Sequence, residues 1–275
     1  MDLQTSFDQL IDIHKWIQYA PGIRQYVVYP TNILFAGIKI TDLYSVLCVA
    51  RSNLYYSSLD NLGDITNNTQ ESKIYAKSIF VQNALMYYNI AVDHSWQYLW
   101  LFYNNTISDM LPTDMLYQSC LKDCSYDELI LGLTLRRDIK MREIVKNFFS
   151  HNEYFIRMRP MYNYLKHRAS YHFQGLGINP GRQPFSFYIT DGKNSCFQPN
   201  IDNGMYIPCI TYKELSIPEW TDLLLSFDHA FIGYFIYILQ ITMPYDYLKN
   251  QVEVYRIVDY YSQHWDEIVD YNAKL

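Results

Sequence analysis

The side chains in this protein best equipped for chemistry are Arg159, Asn163, Lys166 and His167, within the segment 157–177, RMRPMYNYLKHRASYHFQGLG. A guanidinium donates a planar fork of hydrogen bonds to a phosphate, an amide both donates and accepts, and an ammonium adds a compact charge. An imidazole exchanges a proton near neutral pH. Residues three and four apart share one face of a helix. Pro160 suits the first helical position, with Arg159 as the residue before it. A helix opened there is expected to carry Arg159, Asn163 and His167 on one stripe, joined by Lys166 and Ser170, with Met161, Tyr164 and Leu165 turned elsewhere and Gly175 and Gly177 beyond its end. Lys166 and Arg168 beside His167 favour the neutral imidazole that a general base requires. His167, Asn163 and Arg159 are therefore the candidate catalytic set, and Lys166, Arg168, His172 and Arg157 the candidate phosphate or nucleic-acid contacts.

Other constellations are thinner. Asn89, Asp93, His94 and Trp96 fall close together in one helical stretch, and are expected either to line a pocket with the 157–177 helix or to be satisfied core polars. Cys120 and Cys124 have the spacing of a helical metal pair, but no second Cys or His pair accompanies them, so neither metal nor cofactor is expected. Gly175, Gly177 and Gly181 follow a helix rather than a strand and do not make a dinucleotide loop.

Two stretches carry a resemblance. The run YNYLKHRASYHFQGLG (162–177) looks like the C-terminal helix motif of HEPN-type domains, small helical bundles of bacterial toxins and RNA-processing systems. More narrowly it resembles an uncharacterised bacterial all-helical family with an N-Y-[IL]-K-H-R-[GA]-S helix. NALMYYNIAVDHSWQYLW (83–100) is similar to a stretch of that family too. Catalytic HEPN proteins place an Arg, often followed by Asn, four to six residues before a His, and the pair cleaves RNA without metal, usually across a homodimer interface. On this chain Asn163 and His167 match the Asn and His, while Tyr162 stands at the Arg position. Arg159 has seven intervening residues before His167, and Arg168 only three before His172. The resemblance thus implies a helical fold, a homodimer, and RNA or a nucleotide as ligand, and it implies metal-independent endoribonuclease chemistry only if Arg159 or Arg168 replaces the missing guanidinium at the phosphate.

These residues need elements to hold them. Helical spacing of apolar residues predicts a helix over 7–19, stopped at Pro21-Gly22, and one opened by Thr41-Asp42 and running to about Leu59. Residues 71–103 contain no Gly or Pro and predict one long central helix or two end to end. Pro112-Thr113-Asp114 opens a short helix, Ser125–Glu128 matches a capping box, and a basic helix follows over 138–149, with His151-Asn152-Glu153 as a joint. A second capping-box match, Ser216 to Glu219, starts a helix to about Ile241, and a last helix over 245–271 is expected to turn Val252, Tyr255, Val258, Tyr261, Trp265 and Ile268 inward. Between them, 178–211 is punctuated by Pro and Gly, and predicts short strands over 184–189 and 205–212 around the Asp191-Gly192 turn and a longer loop. The sum is an all-α, single-domain bundle of about eight helices over 1–275, with a small β-hairpin and loop insertion near 178–212.

Composition sets the outer bounds. The 275 residues are 49% apolar and 18% charged, with 28 tyrosines that suit half-buried helix faces. The N-terminal residues show no basic segment before an apolar run, and 230–241, the most apolar stretch, is shorter than the roughly 20 residues of a spanning helix. Five dispersed cysteines read as reduced thiols, so a cytoplasmic, non-membrane protein is expected. Net charge is -6, which excludes a general nucleic-acid coat, yet 136–168 holds nine basic residues against three acidic ones, a local +6 that leaves -12 elsewhere. Such asymmetry points to an anion-facing surface on an acidic body. Two competing readings remain: a structural or protein-interaction module in which the polar stripe is hydrogen-bonded to the Asn89–His94 region, and a small-molecule enzyme with a pocket under the 178–211 insertion.

Overall fold

A computed structural model describes residues 7, 10–63, 66, 69–167, 171–176, 183–184, 186–190, 194–198, 206–207, 214–243, 247 and 253–273. It is an all-α, multi-helix bundle. In order its helices are α1 (Ile23–Val28), α2 (Thr31–Ser58), α3 (Gln70–Tyr103), α4 (Asp114–Lys122), α5 (Tyr126–Leu135), α6 (Ile139–His151), α7 (Glu153–His167), α8 (Ile217–Thr242), α9 (Val254–Gln263) and α10 (Trp265–Asn272), with short 3-10 turns at His14–Tyr19 and Asn105–Ile107.

The long hairpin α2–α3 is the spine, and α8 lies against both of its helices. Both spine helices bury residues around most of their circumference, as expected of helices walled in by neighbours. Aromatic rings fill the centre: Tyr88, Phe227, Phe231 and Phe235 are fully buried, and Trp16 meets Phe235 edge to face at 5.1 Å. One ionic group lies in this core. Asp228 of α8, wholly buried, accepts two 2.8 Å hydrogen bonds from Arg51 of α2 and one of 2.9 Å from the Tyr88 hydroxyl of α3. A buried carboxylate is tolerable only with its lone pairs so engaged, and here the engagement ties three helices at one point.

The predicted helices are found with five corrections, of which the start of α7 belongs with the candidate site. Of the 7–19 helix, Phe7 is helical, residues 10–13 are not, and a 3-10 turn runs from His14, whose amide is taken up by Asp12. Helix α2 begins at Thr31 after Pro30, ten residues before the Thr41-Asp42 start; Thr41 is interior, and its hydroxyl donates back to Gly37 O. Buried Leu34, Phe35 and Ala36 explain the longer helix, since that apolar turn must be covered. The last helix is two, α9 and α10, broken at His264, and Tyr255, Val258 and Trp265 are 56%, 57% and 61% exposed rather than inward; Val252 lies outside the described residues. Finally, α8 starts after Ser216 as predicted, but no side-chain cap bond is made there. Thr69, Thr113, Ser125 and Asp138, by contrast, all cap their helices through the side chain.

The insertion is β-structured in part. Strands 186–190 and 194–198 pair antiparallel across 191–193, while 206–207 pairs with 183–184 rather than with the first hairpin strand. Two-residue strands 172–173 and 214–215 run parallel and close the base of the segment. Helices α2 and α8 are long and apolar enough to cross a membrane by length and composition, with mean hydropathy 1.8 and 1.4, and about half of each apolar window is buried in the bundle. The apolar run around 230–241 is thus part of a 26-residue helix.

Candidate functional site

Helix α7 starts at Glu153, not at Pro160. Asn152 caps it, its side-chain oxygen accepting the Phe155 amide at 2.9 Å, and Glu153 places a negative charge where the helix dipole favours one. Pro160 is interior to the helix. A mid-helix proline deprives the carbonyl four residues earlier of its donor. Here that residue is Ile156, which like Pro160 is exposed, so the break in the helix ladder falls on the outer face of α7. Lys166 and His167 occupy the last turn, the end of the dipole that favours cations.

The expected stripe divides. Arg159 turns inward to α3: its Nη1 donates to Asn89 Oδ1 at 3.2 Å and its Nη2 lies 3.4 Å from Asp93 Oδ1. The guanidinium also sits over the rings of Trp96 (5.9 Å) and Tyr162 (5.5 Å). Asn163, Lys166 and His167, one and two turns on, are exposed, as is Arg157. Lys166 Nζ approaches the Tyr162 ring from its own side at 5.9 Å. Tyr162 therefore has two cations within 6 Å of its ring centroid, an attraction of about 0.5–1 kcal/mol each at such sites. Arg168 and Ser170 lie outside the described residues. His172 is half-buried in the short strand paired with 214–215.

A cleft of about 740 Å³ opens along α7. Arg159, Asn163 and His167 line it together with the aromatic side chains Phe149, Phe155 and Tyr164. Tyr171 closes one end: its hydroxyl donates to Met161 O at 3.1 Å, and its ring packs 4.8 Å from Tyr164 and 4.9 Å from Trp220. Burial, and then Tyr164, push the Tyr171 phenol up to about 12, so it stays protonated and offers a fixed dipole. Lys166, Arg157 and His172 are not part of the lining. The three candidate catalytic side chains thus share one cavity, whereas Lys166, Arg157 and His172 lie outside its lining.

The Asn89–Trp96 cluster divides as well. Asn89, Asp93 and Trp96 face α7 and receive Arg159; Asn89 is fully buried and also donates to Leu85 O. Burial raises the Asp93 carboxyl above the ordinary aspartate value, while Arg159 and Lys166 pull it the other way. His94 belongs to a different neighbourhood, beside the Lys39–Asp42 ion pair of α2 (3.0 Å), with Tyr117 donating to Asp42 at 3.1 Å. Burial, then Lys39, lower its imidazole to about 4, and its Nδ1 has no hydrogen-bond partner among the described residues. Cys124, whose thiol burial pushes up to about 12, is unsuited to act as a thiolate. No group of three His, Cys, Asp or Glu able to hold a metal ion occurs among the described residues.

Sequence reading missed the Arg51–Asp228–Tyr88 group. The available signal was Asp228 itself, an acid within the apolar run LLLSFDHAFIGYF (223–235), which must find a cation if buried. No family model matches the chain, and no curated protein or solved structure matches it.

Proposed function

We propose that the protein binds the phosphate of RNA or of a nucleotide along the exposed end of α7, in the manner its HEPN resemblance implies. The observation that carries this reading is the exposure of Asn163, Lys166 and His167 on one helix, with Asn163 and His167 lining a cleft shared with aromatic side chains, inside a window of local charge +6 on an acidic chain. An exposed cation at a helix C-terminus is accessible to an anion, and aromatic rings offer a base a surface to stack on. In this reading Lys166 supplies charge, Asn163 and His167 supply hydrogen bonds, and Arg157, Arg168 and His172 extend the contact. Arg159 is a positioning residue: its guanidinium, held by Asn89 and Asp93, fixes α7 on α3 and so fixes where Asn163 and His167 stand.

The proposal is binding rather than cleavage. Endoribonuclease chemistry would ask His167 to move a proton and a guanidinium to meet the charge developing on phosphorus. The position for that guanidinium holds Tyr162, and Arg159 is engaged elsewhere. The resemblance further implies that two copies meet through this helix, where Ile156 is 47% exposed beside the cleft, and that the protein works in the cytoplasm.

The experiment is direct. Fluorescently labelled single-stranded RNA is titrated with the wild type and with Lys166→Ala/Arg168→Ala. Affinity should fall by at least tenfold at low salt, the scale expected for two lost phosphate contacts. Equal affinity would remove the site. One observation favours a second reading, a non-catalytic interaction module: Arg159 already joins α7 to Asn89 and Asp93 of the central helix, as a structural role requires.

A further inference from the structure

We infer that the protein has a second, small-molecule site between the end of α3 and helix α5, suited to a ligand with an apolar body and a single anionic head. The site is a pocket of about 380 Å³, within the range of small-ligand sites. Its walls are Trp100 and Tyr103 on α3, and Leu129, Gly132, Leu133 and Leu135 on α5. Arg136 stands at its rim.

Three features of this pocket suit a ligand. The first is Gly132, a helix-interior glycine with an ordinary helical backbone; a Cβ built there meets nothing within 4 Å. Helix geometry therefore does not require glycine at this point, and its missing side chain is what leaves the wall open. The second is Leu135, which lines the pocket yet stays 75% exposed. An apolar rim of this kind gains from a covering group. The third is charge. Arg136 donates to the Tyr103 carbonyl and lies over the Tyr103 ring at 5.9 Å, and no carboxylate forms an ion pair with it among the described residues. The nearest acid in sequence, Asp138, is already occupied by the Tyr103 hydroxyl at 2.6 Å and by the Met141 amide at 3.0 Å. Arg136 thus keeps donors and an unneutralised charge for a head group, while the pocket takes the tail. The volume matches one alkyl chain or one aryl group rather than the side of a partner helix. A medium-chain carboxylate satisfies each requirement.

The test uses decanoate and decanol, which share a tail and differ in the head, titrated calorimetrically against the full-length protein. Decanoate should bind, and decanol should bind roughly tenfold more weakly, the difference one charge-assisted contact makes. Gly132→Leu, which fills the pocket from its open wall, should abolish both, with its fold checked by far-ultraviolet circular dichroism. Arg136→Gln should bring decanoate down to the level of decanol without changing decanol. Absence of decanoate binding, or binding unaffected by a folded Gly132→Leu, overturns the site. Equal affinity for acid and alcohol overturns the anionic head. If Gly132→Leu fails to fold, Gly132→Ala with Leu129→Phe narrows the same space and must weaken both ligands. Because this pocket is separate from the α7 cleft, its failure leaves the phosphate reading untouched, and the reverse also holds.

Discussion

Two arginines reach from one helix to an aspartate on another, and they do so in opposite ways. Arg51 meets Asp228 through two hydrogen bonds of 2.8 Å, with the carboxylate wholly buried and its remaining capacity met by Tyr88. Arg159 stands 3.4 Å from Asp93, both side chains about a third exposed, and shares its charge among Asn89 and two aromatic rings. The first pair is sealed and geometrically complete; the second is loose and sits on the edge of a cleft. A pair whose carboxylate is wholly buried and fully hydrogen-bonded serves to hold the fold. A loose pair at a rim can hold the fold and still respond to what enters the cleft.

The largest expected effect comes from breaking the sealed pair. Arg51→Met leaves a buried carboxylate unpaired and should cost about 3–5 kcal/mol in urea unfolding. Arg51→Met/Asp228→Leu should recover most of that loss, since the uncompensated charge is gone. A double variant as unstable as the single one would mean that the ionic geometry itself holds the three helices.

His94 sharpens the contrast through pH. Its folded imidazole is lowered to about 4 from an ordinary 6.5, so the folded state resists protonation that the unfolded chain accepts. Its contribution is present above 6.5 and is lost as pH falls toward 4, a swing on the order of 3 kcal/mol. Unfolding of the wild type and of His94→Gln should therefore diverge across that window and run parallel above it. Parallel behaviour throughout would show that His94 is hydrated.

The smallest effects belong to the loose pair. Arg159→Met should cost about 1 kcal/mol, as a part-exposed ion pair does, several times less than Arg51→Met. Asp93→Asn should be close to neutral at pH 7 or slightly stabilising. Burial raises the Asp93 pKa in the fold, so its ionised form costs stability above that value, and the cost disappears as pH falls below the ordinary carboxylate range. A loss for Arg159→Met equal to that for Arg51→Met would erase the distinction and favour a purely structural role for α7.

The all-helical architecture was legible because its signals are local. Thr113 and Ser125 cap helices where their types and spacing said they would, and the unbroken 71–103 run is one helix. What was not legible depended on tertiary contact. Pro160 looked like a start because proline favours that position, but Asn152 caps the helix earlier and the break the proline makes falls at exposed Ile156 and Pro160. The α9–α10 residues looked inward because they are apolar, yet periodicity cannot say whether a helix finds a neighbour. At the site, spacing grouped Asn163, Lys166 and His167 on the accessible part of α7. It could not show that Arg159, one turn earlier, meets a carboxylate on α3, because direction along a stripe is set by the partner helix and not by the repeat. Asp93 and His94 teach the same lesson from α3: adjacent in sequence, they face α7 and α2 respectively.

The central claim is that the exposed end of α7 meets phosphate, and counterion release measures that most directly. RNA affinity is followed across a series of salt concentrations for the wild type and for Lys166→Ala. The wild type should weaken linearly on logarithmic axes, and the variant should show a slope shallower by roughly 0.7, one phosphate contact on a single strand. Identical slopes, or an affinity indifferent to salt, would contradict the account.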